Sequence, residues 1–191
     1  YSATIIAAAL KAEEVEIWTD VSGIMTADPR IVPDARPTSA ISYREAAELA
    51  YFGAKVIHPS TIQPAVNLGI PVRVKNTFAP DHPGTEIVPA AAGIGVRAIA
   101  SKRRITLVSV NSSRMLLAHG FLRRIFEIFE KHQTSVDLVA TSEVSVSMTI
   151  DEPSAIDRIT RDLSEIGTVG VEAEKSIICL VGQDLWKDTV F

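Results

Sequence analysis

A single cysteine in 191 residues, Cys179, excludes an internal disulfide. A reducing cytoplasm fits that poverty. No signal-peptide pattern opens the chain, and no apolar run approaches the roughly 20 residues of a membrane span. Positive charge is not in excess. The formal net charge of −4 gives no basic face for nucleic acid. No Cys/His cluster has zinc spacing, so no metal site is expected. Gly93-Ile94-Gly95 lacks both the third glycine and the preceding strand of a dinucleotide loop. There is no initiator Met, and no capping residue precedes the helix pattern of Tyr1 to Ala12 with its apolar Ile5, Ile6, Ala9 and Leu10. The chain therefore reads as a piece of a longer protein.

What is present is ordinary for a folded protein, 47% hydrophobic and 22% charged. The length allows one large or two small domains. Up to about Val88, helix and strand patterns alternate. A strand over Val15 to Trp18 leads into a polar loop. Ser42-Tyr43-Arg44-Glu45 has capping-box spacing, followed by the small-residue face Ala46, Ala47, Leu49 and Ala50, with Gly53 to stop the helix. Ser60 to Gln63 repeats the capping pattern, Gly69 ends the second helix, and Pro71 to Lys75 reads as a strand. Such alternation predicts a parallel or mixed sheet with covering helices. Residues 77–84 and 89–95, rich in Pro, Gly and Ala, mark a boundary.

The remainder reads strand, helix, strand, strand, helix, strand. Arg104 to Val110 is the first strand. Phe121, Leu122, Ile125, Ile128 and Phe129 give the first helix its core face. Ser135 to Ala140 is a strand, and strict alternation over Glu143 to Ile150 points Val144, Val146, Met148 and Ile150 inward. Pro153 opens a helix faced by Ile156, Ile159 and Leu163, and Gly167 closes it. Val169 to Ala173 and Lys175 to Val181 read as two further strands, with Cys179 a buried core thiol. The order is the ferredoxin-like split pattern, whose open edge favours self-association.

The polar loop is Trp18-Thr19-Asp20-Val21-Ser22-Gly23-Ile24-Met25-Thr26-Ala27-Asp28-Pro29-Arg30. Loops at strand ends hold ligands in α/β folds, so Asp20 and Arg30 are candidates to orient a phosphate or sugar. The plainer reading is a turn at Asp28-Pro29 with Arg30 in solvent. This stretch, with Phe52-Gly53-Ala54-Lys55-Val56-Ile57-His58-Pro59, resembles the nucleotide-site loop and following block of aspartate kinases.

That resemblance implies a fold and a division of the chain. The fold class is α/β: a partial amino-acid-kinase-type sheet with covering helices, then a ferredoxin-like (βαββαβ) ACT domain, the small-molecule regulatory module of amino-acid biosynthesis. The implied division is 1–88 for the carboxyl part of the catalytic domain, 89–103 for a linker, 104–174 for the ACT domain and 175–191 for the start of a second ACT unit. It also implies ATP-dependent phosphorylation of the aspartate side-chain carboxylate, with Mg²⁺, early in lysine, threonine and methionine biosynthesis. Thr19, Asp20, Met25, Arg30, Lys55 and Val56 would lie at the nucleotide. Met25 replaces a frequent Tyr, and Lys55 read without the resemblance is a surface lysine. His58 reads as a ligand or as a structural hydrogen-bonding group.

The family's Lys-Phe-Gly-Gly-Thr-Ser motif and its Gly-rich Ser-Asp segment are not in this chain. The expectation is that the chain alone does not phosphorylate aspartate. By the same resemblance Met115, Ala118, Phe121, Leu122, Ser135, Val136, Asp137, Ser142 and Glu143 form an amino-acid effector site, with lysine ahead of threonine. Ala118 stands where a Ser is frequent. Without the resemblance, Asp137 and Glu143 are equally well solvated strand ends, and His119 is a surface residue at a helix start. Self-association through ACT domains is implied. The segment could belong to a kinase alone, to a kinase fused with a homoserine dehydrogenase, or act here only as an amino-acid-binding and dimerisation module.

Overall fold

The computed structural model describes residues 1–52, 57, 59–116 and 119–187. The chain divides into two compact units, Tyr1–Ser101 with Ile178–Phe191, and Lys102–Ile177. Among the described residues no helix is long and apolar enough to cross a membrane.

The first unit contains α1 (Ser2–Leu10), β1 (Val15–Thr19), β2 (Ala40–Ser42), α2 (Tyr43–Tyr51), α3 (Pro59–Val66), β3 (Val72–Asn76) and β4 (Thr85–Val88). Its sheet has the order β1-β3-β4-β2, with β1 parallel to β3, β3 antiparallel to β4 and β4 parallel to β2. The mixed sheet is as the sequence predicts, except that β4 falls in the stretch flanked by loop signals. Ile41, Leu49, Val72, Val74, Ile87 and Ala65 are fully or almost fully buried. Each large one contributes about 1.5–3 kcal/mol by leaving water. The capping box forms as read: the Glu45 amide donates to Ser42 Oγ, and the Ser42 amide donates to Glu45 Oε2 at 2.8 Å.

One local reading is corrected. Ser60 lies inside α3, whose described residues start at Pro59, so it is not the residue that precedes the helix. Proline is at home in the first helical turn, where its missing N–H costs nothing. The apolar Ile5, Ile6 and Leu10 of α1 are exposed, while Thr4 and Ala7 are buried. Thr4 Oγ1 donates to the carbonyls of Tyr1 and Thr61, so a hydroxyl ties α1 to α3. The stretch 89–103 is also not free of structure. From Gly95 it is already β5 (Gly95–Asn111), and the Ile99 amide donates to Thr26 O at 2.8 Å.

The second unit uses the rest of β5 and then α4 (Phe121–Lys131), β6 (Leu138–Thr141), β7 (Ser145–Ile150), α5 (Ile156–Leu163) and β8 (Thr168–Gln183). The sheet order β6-β7-β5-β8 is the ferredoxin-like arrangement. Val146, Met148 and Ile150 point inward with Val108, Val110, Phe121, Ile125, Phe129, Ile159 and Leu163. Val144 does not; it is 45% exposed and precedes the strand. β8 is one strand, not two, with Glu174 at a positive φ of 56° where the sequence reading breaks it. Ile178 and Leu180 are exposed and Cys179 is half-buried, because this part of β8 is not a core strand. Burial, then the charge of Glu48, pushes the Cys179 thiol pKa up, which disfavours a nucleophilic thiolate.

Asp162 on α5 accepts from Lys131 Nζ at 2.7 Å and faces His132 Nε2 at 2.9 Å. Hydrogen bonding to Lys131, then to His132, lowers its pKa. A depressed carboxyl stabilises above its unfolded pKa, and the gain is lost as pH falls through the folded value. Asp162→Asn should therefore lose less stability between pH 7 and pH 3 than the unaltered chain. Urea midpoints at the two pH values measure this, and parallel losses would contradict it.

Candidate functional site

Parallel strands β1 and β3 end side by side, with Thr19 in register with Asn76. Ligands in open α/β sheets sit at such carboxyl ends. Here Thr19 Oγ1 donates to Asp20 Oδ1 at 3.0 Å, the Thr77 amide donates to Thr19 O at 2.8 Å, and Asn76 Nδ2 donates to Ser22 Oγ at 2.9 Å. Asp20 is exposed. Lys75 lies over the half-exposed Trp18 ring, Nζ 4.7 Å from its centre, and pairs with Glu16 at 3.6 Å. Lys75 and Asn76 are absent from the sequence-derived set. Only the strand register puts them beside Trp18 and Thr19.

The loop after Asp20 is built rather than free. Thr26 and Arg36 bond across it, as do Ile24 and Thr38, and Met25 bridges to Pro37. Its anchor is Thr85, fully buried at the start of β4. The Ile24 amide donates to Thr85 Oγ1 at 2.9 Å, and Thr85 Oγ1 donates to Thr38 O. Gly23 makes this approach possible: its φ is 127°, and a Cβ there would overlap Thr85 Oγ1. Thr85 carries no sequence signal, because its partners lie 61 and 47 residues away.

Arg30 is 83% exposed, and Asp28 holds it through Nε and Nη2. Asp28 Oδ1 also accepts from the Arg30 amide at 2.9 Å, so the turn reading at Asp28-Pro29 is realised. Asp20 and Arg30 are each bonded to a sequence neighbour, and no ion pair joins them. Lys55, Val56, Gly53 and His58 lie outside the described residues. An open cleft of about 520 Å³ in this unit, lined by Ser42, Arg44, Glu45, Glu48 and Cys179 to Leu185, does not include the loop.

In the second unit the sequence-derived effector residues fall into two groups. Met115 lies in a short turn, buried Phe121 and exposed Leu122 open α4, and Ala118 is outside the described residues. Ser142 and the exposed Glu143 form the β6–β7 turn, tied to the Met115 turn by the Ser112 amide donating to Val144 O at 2.9 Å. Ser135, Val136 and Asp137 precede β6 at the sheet's other end, where the Asp137 amide donates to Thr149 O. A four-residue strand at about 3.3 Å per residue separates the groups by more than 10 Å. One chain does not bring Asp137 and Glu143 onto one ammonium.

Asp137 has a different neighbour. Its side chain is 8% exposed, and Lys102 Nζ lies 3.4 Å from Oδ2 while also contacting Asp151. Burial alone would lower the Lys102 pKa, but Asp151 and Asp137 outweigh it and the net shift is upward. Burial, and then Asp137, raise the Asp151 pKa against the pull of Lys102. Lys102 and Asp151 border an open cleft of about 560 Å³ that Arg104, Pro153 and Glu174 also line.

Residues 1–76 match the amino acid kinase family. The chain is 42% identical to aspartokinase 3, chloroplastic, of Arabidopsis thaliana, over 95% of this chain and 34% of that protein. Along nearly all of its length the chain is similar to aspartokinases. Two aspartokinase III structures from Escherichia coli superpose on this segment. The one in complex with lysine and aspartate has a TM-score of 0.85 at 42% identity, over 97% of this chain and 43% of that one. The one in complex with aspartate and ADP has a TM-score of 0.84 at 41% identity, over 99% and 44%. The segment thus spans between a third and a half of the aspartokinase relatives it matches.

Proposed function

We propose that the protein containing this segment is an aspartate kinase, which transfers the terminal phosphate of ATP to the side-chain carboxylate of L-aspartate and is feedback-regulated by lysine. The similarity along both units to an aspartokinase in complex with lysine and aspartate carries this reading. The segment supplies the nucleotide-side loop and the effector module, and does not phosphorylate aspartate by itself. Thr19, Asp20, Met25 and Arg30, with Lys55 and Val56, hold the nucleotide. Phosphoryl transfer needs fixed positive charge around the phosphates, the role given to Arg30 and Lys55. Among the described residues no three His, Cys, Asp or Glu groups are placed to hold a metal. Mg²⁺ usually takes one or two carboxylates plus substrate phosphates, and Asp20 is such a carboxylate. The ion would arrive with the nucleotide and neutralise phosphate charge. The single cysteine supports a reducing compartment.

The effector site is assembled from two copies. β6 is an edge strand whose four residues are all exposed, Leu138 and Val139 among them. Antiparallel pairing of two such edges about a two-fold axis sets Asp137 of one copy beside the Ser142–Glu143 turn of its partner. Lysine then meets carboxylates at its amines and the free amides at the start of α4 at its carboxylate. Calorimetric titration of the chain should show binding of L-lysine and none of L-threonine. Asp137→Ala should weaken lysine roughly 10- to 100-fold, the worth of a charge-assisted hydrogen bond. Equal lysine affinity in the two chains would remove Asp137 from the site.

A further inference from the structure

The carboxylate assigned to the effector's amine already holds an ammonium of the same chemistry. Lys102 Nζ lies 3.4 Å from Asp137 Oδ2 and contacts Asp151, and the Lys102 side chain is 22% exposed. We propose that Lys102 is an internal counter-ligand: its ammonium occupies Asp137 in the effector-free chain, and the amine of an incoming lysine must displace it. The proposal rests on the effector reading above.

Three observations support a competition rather than a fixed structural pair. First, Asp137 is nearly buried, and a buried carboxylate left without a cation is costly, so it is paired in either state. An external amine exchanges one ammonium for another and leaves no charge unpaired. Second, Lys102 has an alternative partner. Asp151 is 44% exposed at the cleft edge, so Lys102 can swing from Asp137 and keep a carboxylate. The cleft of about 560 Å³ gives the displaced side chain room. Third, an aliphatic stem on the same sheet presents its ammonium at very high effective concentration, against which a free ligand must compete.

The consequence for regulation follows from where Lys102 stands. It is the first residue of the second unit, directly after Ser101. Arg104, two residues on, has a left-handed φ of 61° within β5. Releasing Lys102 from Asp137 alters what holds β5 just before that bend. Effector binding is thereby converted into a change on the strand that continues from the first unit. An effector shifts an equilibrium only through differential contacts with the two states, and the Lys102–Asp137 pair supplies one.

The test is calorimetry of the chain with L-lysine and with norleucine, which has the same stem without the amine. If Lys102 holds Asp137 about nine-tenths of the time, the apparent lysine affinity is reduced about tenfold. Lys102→Met should therefore bind lysine about tenfold tighter, with no gain for norleucine, while Lys102→Arg stays near the unaltered chain. A purely structural Lys102 would move both ligands together or neither. Unchanged or weaker lysine binding by Lys102→Met, alongside loss of binding in Asp137→Ala, would overturn the counter-ligand and leave the effector reading standing. Binding insensitive to Asp137→Ala would overturn both. Should Lys102→Met not fold, the Lys102 ammonium resonance of the unaltered chain decides. It should lose its slow hydrogen exchange on lysine addition, and an unperturbed resonance at saturation would refute displacement.

Discussion

Gly23→Ala is expected to lower the melting temperature of the first unit by roughly 10 °C and to abolish any nucleotide binding by the chain. Two costs combine. Gly23 sits at φ 127°, a conformation that an alanine adopts only with strain of about 1–3 kcal/mol. The added methyl also overlaps Thr85 Oγ1 and approaches Thr85 N to 3.0 Å. Thr85 is fully buried and belongs to β4, so it cannot retreat into solvent. Relief must come from the loop, which breaks the bonds from Ile24 and to Thr38 that seat it. Scanning calorimetry reads the melting temperature, calorimetric titration with ATP reads nucleotide binding, and hydrogen exchange at the Ile24 amide reads the seating of the loop. A melting temperature within a degree of the unaltered chain, with Ile24 still protected, would show that Thr85 does not anchor the loop.

Ile125→Ala is expected to destabilise the second unit by about 2–5 kcal/mol, much of the stability a small domain has. Ile125 is completely buried on α4 among Val108, Val110, Phe129, Val146, Met148, Ile159 and Leu163. Its removal leaves a cavity bounded by both helices and two central strands, which have little freedom to collapse. Phe126, one residue on, is 39% exposed on the other face of the same helix. Phe126→Ala should cost less than about 1 kcal/mol, although it removes more atoms. Urea denaturation followed by circular dichroism compares the two. Similar midpoints would mean that α4 is not seated on the sheet by the Ile125 face. Lysine binding should fail with Ile125→Ala, because α4 and β7, on which β6 pairs, both depend on this core.

Readings that depend on neighbours a few residues apart came through from sequence. The Ser42–Glu45 box closes between residues three apart, and the alternation of Val146, Met148 and Ile150 expresses the two-residue period of a strand against a core. Gly69 ends α3 at φ 67° as a glycine can. The same local logic failed where the deciding neighbour was distant. Apolar Ile5, Ile6 and Leu10 gave α1 its helix pattern, but periodicity did not say which face is covered: α1 meets α3, and the hydroxyl of Thr4 joins them. The run Ile177 to Val181 has core composition, yet only Val181 is buried, because the strand's position in the chain does not say which of its faces is covered.

The sequence by itself determined the order of elements, the βαββαβ unit, the polar loop after β1 and, through resemblance, the family. Those features are written in periodicity, caps and contiguous motifs. Only the tertiary structure decided what holds the loop and what holds Asp137. Thr85 reaches back 61 residues to Ile24, and Lys102 reaches forward 35 residues to Asp137. It also separated Asp137 from Glu143, six positions apart in the chain but at opposite ends of β6. The physical reason is one of range: backbone hydrogen bonding and side-chain period act over a few residues and leave a trace in the sequence. A single buried hydroxyl or half-buried ammonium chooses its partner from whatever the sheet register brings within about 3 Å.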